Sequence, residues 1–318
     1  MTTALSNAKQ APQATHPRDP GDAWVETPRG ERYWGRFGAA GLLAFDPAGV
    51  VLLQHRAEWS HHGGTWGLPG GARHEGESAI DGALRESNEE AGVPREALAI
   101  RATNVLDRKV WSYTTVVADV TTAFEPVISD AESAGLAWVP VEDVTTYPLH
   151  PGFAASWSTL KAVLDTQPVV VVDAANVVGS TPNGWWHDRA GAAAQLISKI
   201  AALAETGVAA QSLDLPLDHW FPEFVVVLEG DARAALGSRG AAGLRRAVEE
   251  ARTPNLRVIS ASGSGDDAIV AEASRLAKLS KTVTVVSSDR ELTSRVQEAG
   301  SGSRRVSWLR DLLGQAPS

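Results

Sequence analysis

Three glutamates, Glu86, Glu89 and Glu90, occupy little more than one turn of a segment whose apolar periodicity predicts a helix. Like charges at these spacings repel one another, at a cost of roughly a few tenths of a kcal/mol for each pair. With about 100° of rotation per residue, the three acids fall on one flank, and Glu90 overlaps the edge of the apolar face. Carboxylates shielded from water are costly unless a cation lies among them, and Mg²⁺ prefers oxygen ligands of this kind. The spacing therefore predicts a divalent metal site.

The residues around these glutamates resemble the Nudix box. Gly71 is followed after five residues by Glu77, and after seven more by RESNEEAGV, residues 85–93. The preceding GTWGLPGG, residues 64–71, is similar to the lead-in found across that family. Ser87 departs from the pattern, because the family has an aliphatic residue at this position. We expect the Ser87 hydroxyl to bond to the carbonyl four residues earlier, which satisfies it without breaking the helix.

The resemblance implies a loop–helix–loop that binds Mg²⁺ or Mn²⁺ and hydrolyses a nucleoside diphosphate linked to another group, such as a nucleoside triphosphate. It implies that Arg85 orients the carboxylates and that Glu77 supports the loop. The implied metal ligands are three carboxylates and one backbone carbonyl, those of Glu86, Glu89, Glu90 and Gly71. Metal-assisted chemistry of this kind lowers the pKa of the attacking water and neutralises phosphate charge.

Several nearby residues have two readings each. The resemblance allows a general base outside the box, and either Asp130 or Glu132 would fit, although both are also ordinary surface acids. His61 and His62 precede the glycine-rich loop and would either contact phosphate or serve only as loop residues. Trp66 is either a packing residue or a platform for a base.

Acidic residues also end several strands of the second half of the chain. From residue 166, valine-rich runs alternate with alanine-rich helical stretches, which predicts an α/β, doubly wound parallel sheet. Ligands of such sheets bind beyond the carboxyl ends of the strands. The acids at those ends are Asp173, Glu229, Asp231, Asp266, Asp267 and Asp289. If they meet at one edge, they form a negative pocket that calls for divalent metal.

Three short motifs in this half, VVVDAANVVG, GSGDDAIVAEA and VTVVSSDREL, resemble the NYN branch of the PIN-like nucleases. The resemblance implies a metal-dependent ribonuclease acting on single-stranded RNA. Its implied metal ligands are Asp173, Asp266, Asp267 and Asp289, with Asp173 also catalytic. The alternative is a non-catalytic RNA-binding or dimerising module, because Asp residues are also common helix caps. Trp185 and Trp186 would either stack on bases or pack internally.

The strands and helices that must position these residues follow different patterns in the two halves of the chain. The 318-residue sequence is therefore predicted to form two unlike domains. Residues 1–22 are polar and predicted to be disordered; residues 23–165 are predicted to form an α+β Nudix fold with a mixed sheet, and residues 166–318 an NYN/PIN-like domain. The net charge of −9 argues against avid, nonspecific binding to nucleic acid. The absence of cysteine excludes disulfides and thiolate zinc sites and suits a cytoplasmic protein. No run reaches the ~18 apolar residues of a membrane helix, so no membrane partner is expected.

Overall fold

The computed structural model describes residues 19–180, 187–236 and 255–315. The chain forms two compact units, Met1–Leu164 and Asp165–Ser318. Most of the segment predicted to be disordered lies outside the described residues, as do Trp185 and Trp186. Residues 19–22 form a turn in which the backbone N–H of Asp22 donates to the carbonyl of Asp19.

The first unit is built on a mixed sheet, as predicted. The strands of this sheet in the first unit are β3 Ala39–Asp46, β4 Val50–Arg56, β5 Trp66–Gly67, β6 Gly70–Ala72, β7 Leu98–Asp107, β8 Ser112–Val120 and β9 Ser133–Pro140, while β1 Trp24–Glu26 and β2 Arg32–Trp34 form a separate antiparallel pair. β3 and β8 are parallel neighbours, and β7 is antiparallel to β8. β4 pairs with β5 and β9, while β6 pairs with β3, all antiparallel.

Helix α1, Ala79–Ala91, follows β6 and packs on β3 and β8. It begins because the Ser78 hydroxyl accepts a hydrogen bond from the Asp81 N–H, and it ends at Gly92, whose φ of 65° suits glycine. Its buried face includes Ala83 and Leu84, which pack against the apolar residues of the sheet. Helix α2, Pro151–Lys161, closes the unit. The ends of α1 therefore fix which residues of the Nudix box face the sheet.

The second unit contains a parallel sheet, which confirms that part of the prediction. Its five strands among the described residues are β10 Pro168–Asp173, β13 Glu223–Leu228, β14 Leu256–Ser260, β15 Thr282–Val286 and β16 Gly302–Arg304, in the order β14-β13-β10-β15-β16. A short antiparallel pair, β11 Val208–Ala209 and β12 His219–Trp220, lies between β10 and β13 in the chain. All neighbouring strands of the sheet are parallel, so their carboxyl ends share one edge.

Helices cover both faces of this sheet. They are α3 Ala174–Gly179, α4 Arg189–Thr206, α5 Gly265–Lys278, α6 Arg290–Glu298 and α7 Val306–Gln315. Val170 and Val172 pack into a core with α4 and α7, while Val169 and Val171 pack on the other face with α5 and α6. This two-sided burial explains the unbroken valine run. Within the described ranges, every helix is too short or too polar to cross a bilayer.

Candidate active site

Arg85 is the centre of an ion-pair network on α1. Its Nε and Nη2 donate to the two carboxylate oxygens of Glu77 at 2.9 and 3.0 Å, and its Nη1 lies 2.8 Å from Glu86 Oε1 and 3.3 Å from Glu89 Oε2. Nη2 also donates to the carbonyl of Ala72 at 2.9 Å. Burial lowers the pKa of Arg85, but hydrogen bonds to Glu77 and Glu86 outweigh this effect, so the pKa of Arg85 is raised. One guanidinium thus ties the loop to the helix and offsets part of the repulsion among the acids.

Glu86 and Glu90 face the backbone of the glycine-rich loop. Glu90 is only 5% exposed, and its Oε2 accepts a hydrogen bond of 2.7 Å from the Gly70 N–H. A Cβ at Gly71 would lie 2.6 Å from Glu86 Oε2, so the close approach of this carboxylate requires glycine there. The Glu89 side chain, by contrast, is 50% exposed. The two inner carboxylates are therefore held against the loop while Glu89 lies at the rim.

The environment of the inner carboxylates fits a divalent cation. Burial raises the pKa of Glu86 to about 7, and burial together with the charge of Glu86 raises the pKa of Glu90 well above its usual range. Gln54, which bonds to Glu90, has a buried Oε1 without a hydrogen-bond partner among the described residues. The carboxylates of Glu86 and Glu90 supply oxygen donors of the kind that suits Mg²⁺ or Mn²⁺, and the carbonyl of Gly71 stays a predicted ligand. A cation at this place would relieve the charge that burial makes costly.

Ser87 differs in detail from the prediction. It is fully buried, and its hydroxyl donates to the carbonyl of Leu84 at 3.1 Å, three residues earlier rather than four. The nearer carbonyl is within reach of the same side chain and satisfies the hydroxyl equally well. The departure from the family pattern therefore leaves the helix intact.

The two candidates for a general base lie near this centre. Asp130 Oδ1 accepts a hydrogen bond of 3.2 Å from the Ser133 N–H, and the charge of Asp130 contributes to the raised pKa of Glu90. Burial raises the pKa of Glu132, against the opposing charge of Arg56. Both acids therefore remain candidates for the base.

His61 and His62 are joined by a third histidine that sequence analysis missed. His150 brings its ligand atom within 4.8 Å of theirs, the one such group of three among the described residues. Its Nδ1 accepts a hydrogen bond of 3.1 Å from the Gly152 N–H at the start of α2, so the neutral ring carries its proton on Nε2. His150 is therefore oriented as a hydrogen-bond donor rather than as a metal ligand. No local signal could have found it, because it is distant in sequence from the other two.

Trp66, beside this histidine group, contacts two other rings, and its role as a base platform stays a prediction. Trp66 stacks on His55 with ring centroids 4.8 Å apart and meets Tyr147 edge-on at 5.1 Å.

Burial, with the charges of His62 and Arg56, lowers the pKa of His150 to about 4.

In the second unit, Asp173 lies at the carboxyl end of the central strand β10. Its Oδ1 accepts a hydrogen bond of 3.0 Å from the Asn176 N–H, which caps α3, and its Oδ2 accepts one of 2.8 Å from the Ser287 hydroxyl. Asp173 is 8% exposed, and burial raises its pKa, with smaller contributions from the charges of Asp266 and Glu229. Asp173 therefore both caps a helix and faces other acids.

Four acids of this edge act on one another, and we call them the acidic cluster. Its members are Asp173, Glu229, Asp266 and Asp289. Burial and then the charges of Asp289 and Glu229 raise the pKa of Asp266. Glu229, which was noted only as a strand-end acid, accepts a hydrogen bond of 2.8 Å from the Gly265 N–H.

Three of the strand-end acids of this half have further partners. Asp267, whose role as a metal ligand stays a prediction, pairs with Arg295 at 2.6 Å, and Asp231 lies 3.8 Å from Arg189. Asp289 Oδ1 caps α6 by accepting from the Leu292 N–H at 3.0 Å. The cap alternative therefore describes one function of Asp289, while Ser264 rather than an acid caps α5.

Comparisons with known proteins bear on the first unit. Residues 35–162 match the NUDIX domain family. A Mycobacterium tuberculosis H37Rv protein named "Putative 8-oxo-dGTP diphosphatase 3" is 51% identical over 166 residues, 49% of this chain and 76% of that protein. The Bifidobacterium longum "Nucleoside triphosphate pyrophosphatase/Nudix hydrolase fusion protein" is 41% identical over 162 residues, 48% of this chain and 34% of that protein. A crystal structure of a Nudix hydrolase from M. smegmatis is 50% identical, covers 45% of this chain and 94% of its own, and has a TM-score of 0.42. The chain belongs to the Nudix family.

Proposed function

We propose that residues 23–165 form a domain that hydrolyses a nucleotide pyrophosphate with the help of Mg²⁺ or Mn²⁺. The observation that carries this proposal is the approach of Glu86 and Glu90 to the Gly70–Gly71 backbone, with Arg85 holding the acids in place. Two carboxylates whose pKa values are raised by burial form a costly arrangement in the absence of a cation.

Each residue has a distinct role in this proposal. Glu86, Glu89, Glu90 and the carbonyl of Gly71 would hold the cation, with Glu89 at the exposed rim. Bound Mg²⁺ or Mn²⁺ neutralises phosphate charge and lowers the pKa of a water molecule. Arg85 orients the carboxylates, and Glu77 holds Arg85 through two hydrogen bonds. The proton of the attacking water goes to a carboxylate nearby, Asp130 or Glu132.

The proposed substrate is a nucleoside triphosphate or a related nucleotide. The names of the M. tuberculosis and B. longum relatives refer to 8-oxo-dGTP and to nucleoside triphosphates. His150 adds an oriented donor near His61 and His62, in a position to bind an anionic or carbonyl group of the substrate.

The test is a product assay with Mg²⁺ or Mn²⁺ against 8-oxo-dGTP, dGTP and the four ribonucleoside triphosphates. Wild type is compared with Glu89→Gln, and with Glu96→Gln as a matched control, because Glu96 is exposed and lies outside the network. We expect Glu89→Gln to lose activity while its melting temperature stays within a few degrees of wild type. Full activity of Glu89→Gln, or no hydrolysis of any nucleotide by wild type, would overturn the proposal.

We also propose a second function, in which residues 166–318 form an NYN/PIN-like, metal-dependent ribonuclease. The observation in its favour is the acidic cluster at the carboxyl edge of the parallel sheet, where Asp173 and Asp266 have pKa values raised by burial and by neighbouring acids. The acids of this cluster would hold divalent metal, which would supply the charge stabilisation needed to cleave a phosphodiester. The alternative is a non-catalytic RNA-binding or dimerising module.

The variant Asp173→Asn separates these possibilities. Asparagine keeps the cap of α3, because its carbonyl oxygen accepts from the same N–H. If the second unit is a nuclease, the Asp173→Asn variant should no longer cleave a short single-stranded RNA in a gel assay. Its melting temperature should stay close to that of wild type, because the fold is kept. If wild type cuts no RNA with Mn²⁺, the module alternative stands.

A further inference from the structure

A polar cavity of about 630 Å³, which we call the arginine cavity, lies beside helix α6 in the second unit. Its lining consists of three arginines, five serine or threonine residues and one glutamine, and among the described residues that line it none is acidic or apolar. The chain as a whole carries a net charge of −9, so a wall of this composition differs sharply from the average surface. Cations and hydroxyl donors without any carboxylate select for an anion.

The arginines of the cavity differ in how they are held. Arg304 pairs with the carboxylate of Asp214, which fixes it at the end of β16. Arg290, the first residue of α6, and Arg305, which follows β16, are exposed, and within the described part of the chain neither forms a salt bridge. Two guanidinium groups are therefore free to bind an anionic ligand.

Ser287 connects the arginine cavity to the acidic cluster. It lines the cavity, and its hydroxyl donates to Asp173 Oδ2 at 2.8 Å while it accepts from the Asp289 N–H at 3.1 Å. The cavity and the cluster thus share a wall at the end of β15. The acidic cluster, which would hold cations, therefore lies beside the arginine cavity, which would hold an anion. A chain of linked phosphates would span both, with one phosphate at the cavity and its neighbour at the cluster.

We propose that the arginine cavity binds the backbone phosphates of a single-stranded nucleic acid whose neighbouring phosphodiester lies at the acidic cluster. The proposal rests on the proposed second function, for which it supplies the substrate-binding surface. No aromatic side chain lines the cavity among the described residues, so stacking on a base has no platform there. The contacts would therefore be to phosphate and would carry no sequence preference.

The test measures binding without cleavage. The full chain, in EDTA and at low salt, is titrated against fluorescein-labelled single strands of twelve nucleotides, as RNA and as DNA of the same sequence, and followed by fluorescence anisotropy. The test variant is Arg290→Ala with Arg305→Ala. The matched control is Lys278→Ala with Arg310→Ala, because both side chains are exposed in the same unit and outside the cavity.

We expect the test variant to bind RNA at least tenfold more weakly than wild type, with the control within twofold. Each lost phosphate contact reduces the salt dependence of the binding constant by about 0.7 on a logarithmic scale, so the slope should fall by about 1.4. Equal weakening for DNA identifies the backbone alone as the ligand, whereas weakening for RNA only adds a contact to the 2′-hydroxyl. Unchanged binding by the test variant, or no strand binding by wild type, overturns the proposal.

Asp173→Asn distinguishes this proposal from the nuclease proposal. If that variant binds RNA like wild type and fails to cut it with Mn²⁺, both proposals hold. If it still cuts RNA, the nuclease assignment fails, while binding that depends on the two arginines continues to support the cavity.

Discussion

The carboxylate of Glu90 accepts a 2.7 Å hydrogen bond from the backbone N–H of Gly70, 20 residues earlier in the chain. This bond joins helix α1 to the glycine-rich loop at the most buried acid of the first unit's site. The pKa of Glu90 is nevertheless raised, because burial and the charge of Glu86 outweigh the hydrogen bond. In the absence of a cation, the charged form of Glu90 therefore lowers the stability of the protein.

Glu90→Gln should have opposite effects with and without metal. Glutamine keeps an acceptor for Gly70 and removes the buried charge, so we expect a melting temperature equal to or above that of wild type in EDTA. With metal at 100 times its dissociation constant, wild type gains about 2.7 kcal/mol, and the variant should gain little. Thermal melts with and without Mg²⁺ check this, with Glu96→Gln as the control that should behave like wild type. An equal gain in the Glu90 variant would exclude Glu90 as a ligand.

Arg85→Lys should lower activity although it preserves the charge. A lysine ammonium is unable to make the parallel pair of hydrogen bonds to Glu77 while also reaching Glu86. We expect kcat/KM to fall by about 10- to 100-fold, because the carboxylates lose the group that orients them. The control is Arg95→Lys, since the Arg95–Asp81 pair is solvent-exposed. Activity within twofold of wild type would show that charge alone suffices.

His150 should make the first unit less stable in acid. The pKa of His150 in the folded protein is about 4, below the ordinary value of 6.5. As the pH falls below 6.5, His150 is therefore protonated in the unfolded chain but stays neutral in the folded chain. The contribution of His150 to the free energy of unfolding therefore decreases between pH 6.5 and about 4, by at most about 3 kcal/mol, and by less where solvent screens the charge. The raised pKa values of Glu86 and Glu90 act in the opposite direction over this range, so the effect of His150 is measured as a difference between wild type and a variant.

His150→Asn provides the matched comparison. Asparagine continues to cap α2 by accepting from the Gly152 N–H but does not titrate. In urea unfolding at several pH values, the stability of wild type should fall relative to that of the variant as the pH drops from 6.5 to about 4, so the two pH dependences should differ in slope. Identical slopes would show that His150 is not the titrating group.

The main features of the first site were predictable because they are local. Ser78 and Gly92 mark the ends of α1, and the box spacing places Glu86 and Glu90 on its inner flank. His150 was not predictable, because it reaches His61 and His62 only through the folded position of α2.

In the second unit, the valine runs predicted the parallel sheet because both faces of each strand are buried. The partners of individual acids were not predictable. Asp267 pairs with Arg295 of α6, while Glu229 approaches α5 from a different strand. These contacts join elements that are distant in sequence, and helix orientation decides them. The roles of the acids in metal binding remain predictions.

Asp266→Asn and Asp267→Asn provide a neighbouring pair that separates a metal site from a helix terminus. Both residues lie in the first turn of α5, so loss of helix-dipole stabilisation should cost each variant a similar amount, about 0.3–1 kcal/mol. Asp266→Asn also removes repulsion from Asp289 and Glu229, whereas Asp267→Asn breaks the pair with Arg295. In EDTA, Asp266→Asn should therefore be the more stable of the two by thermal melting. If the acidic cluster holds metal, Mn²⁺ should raise the melting temperature of Asp267→Asn but not that of Asp266→Asn, and an equal response would mean that these acids serve only the helix.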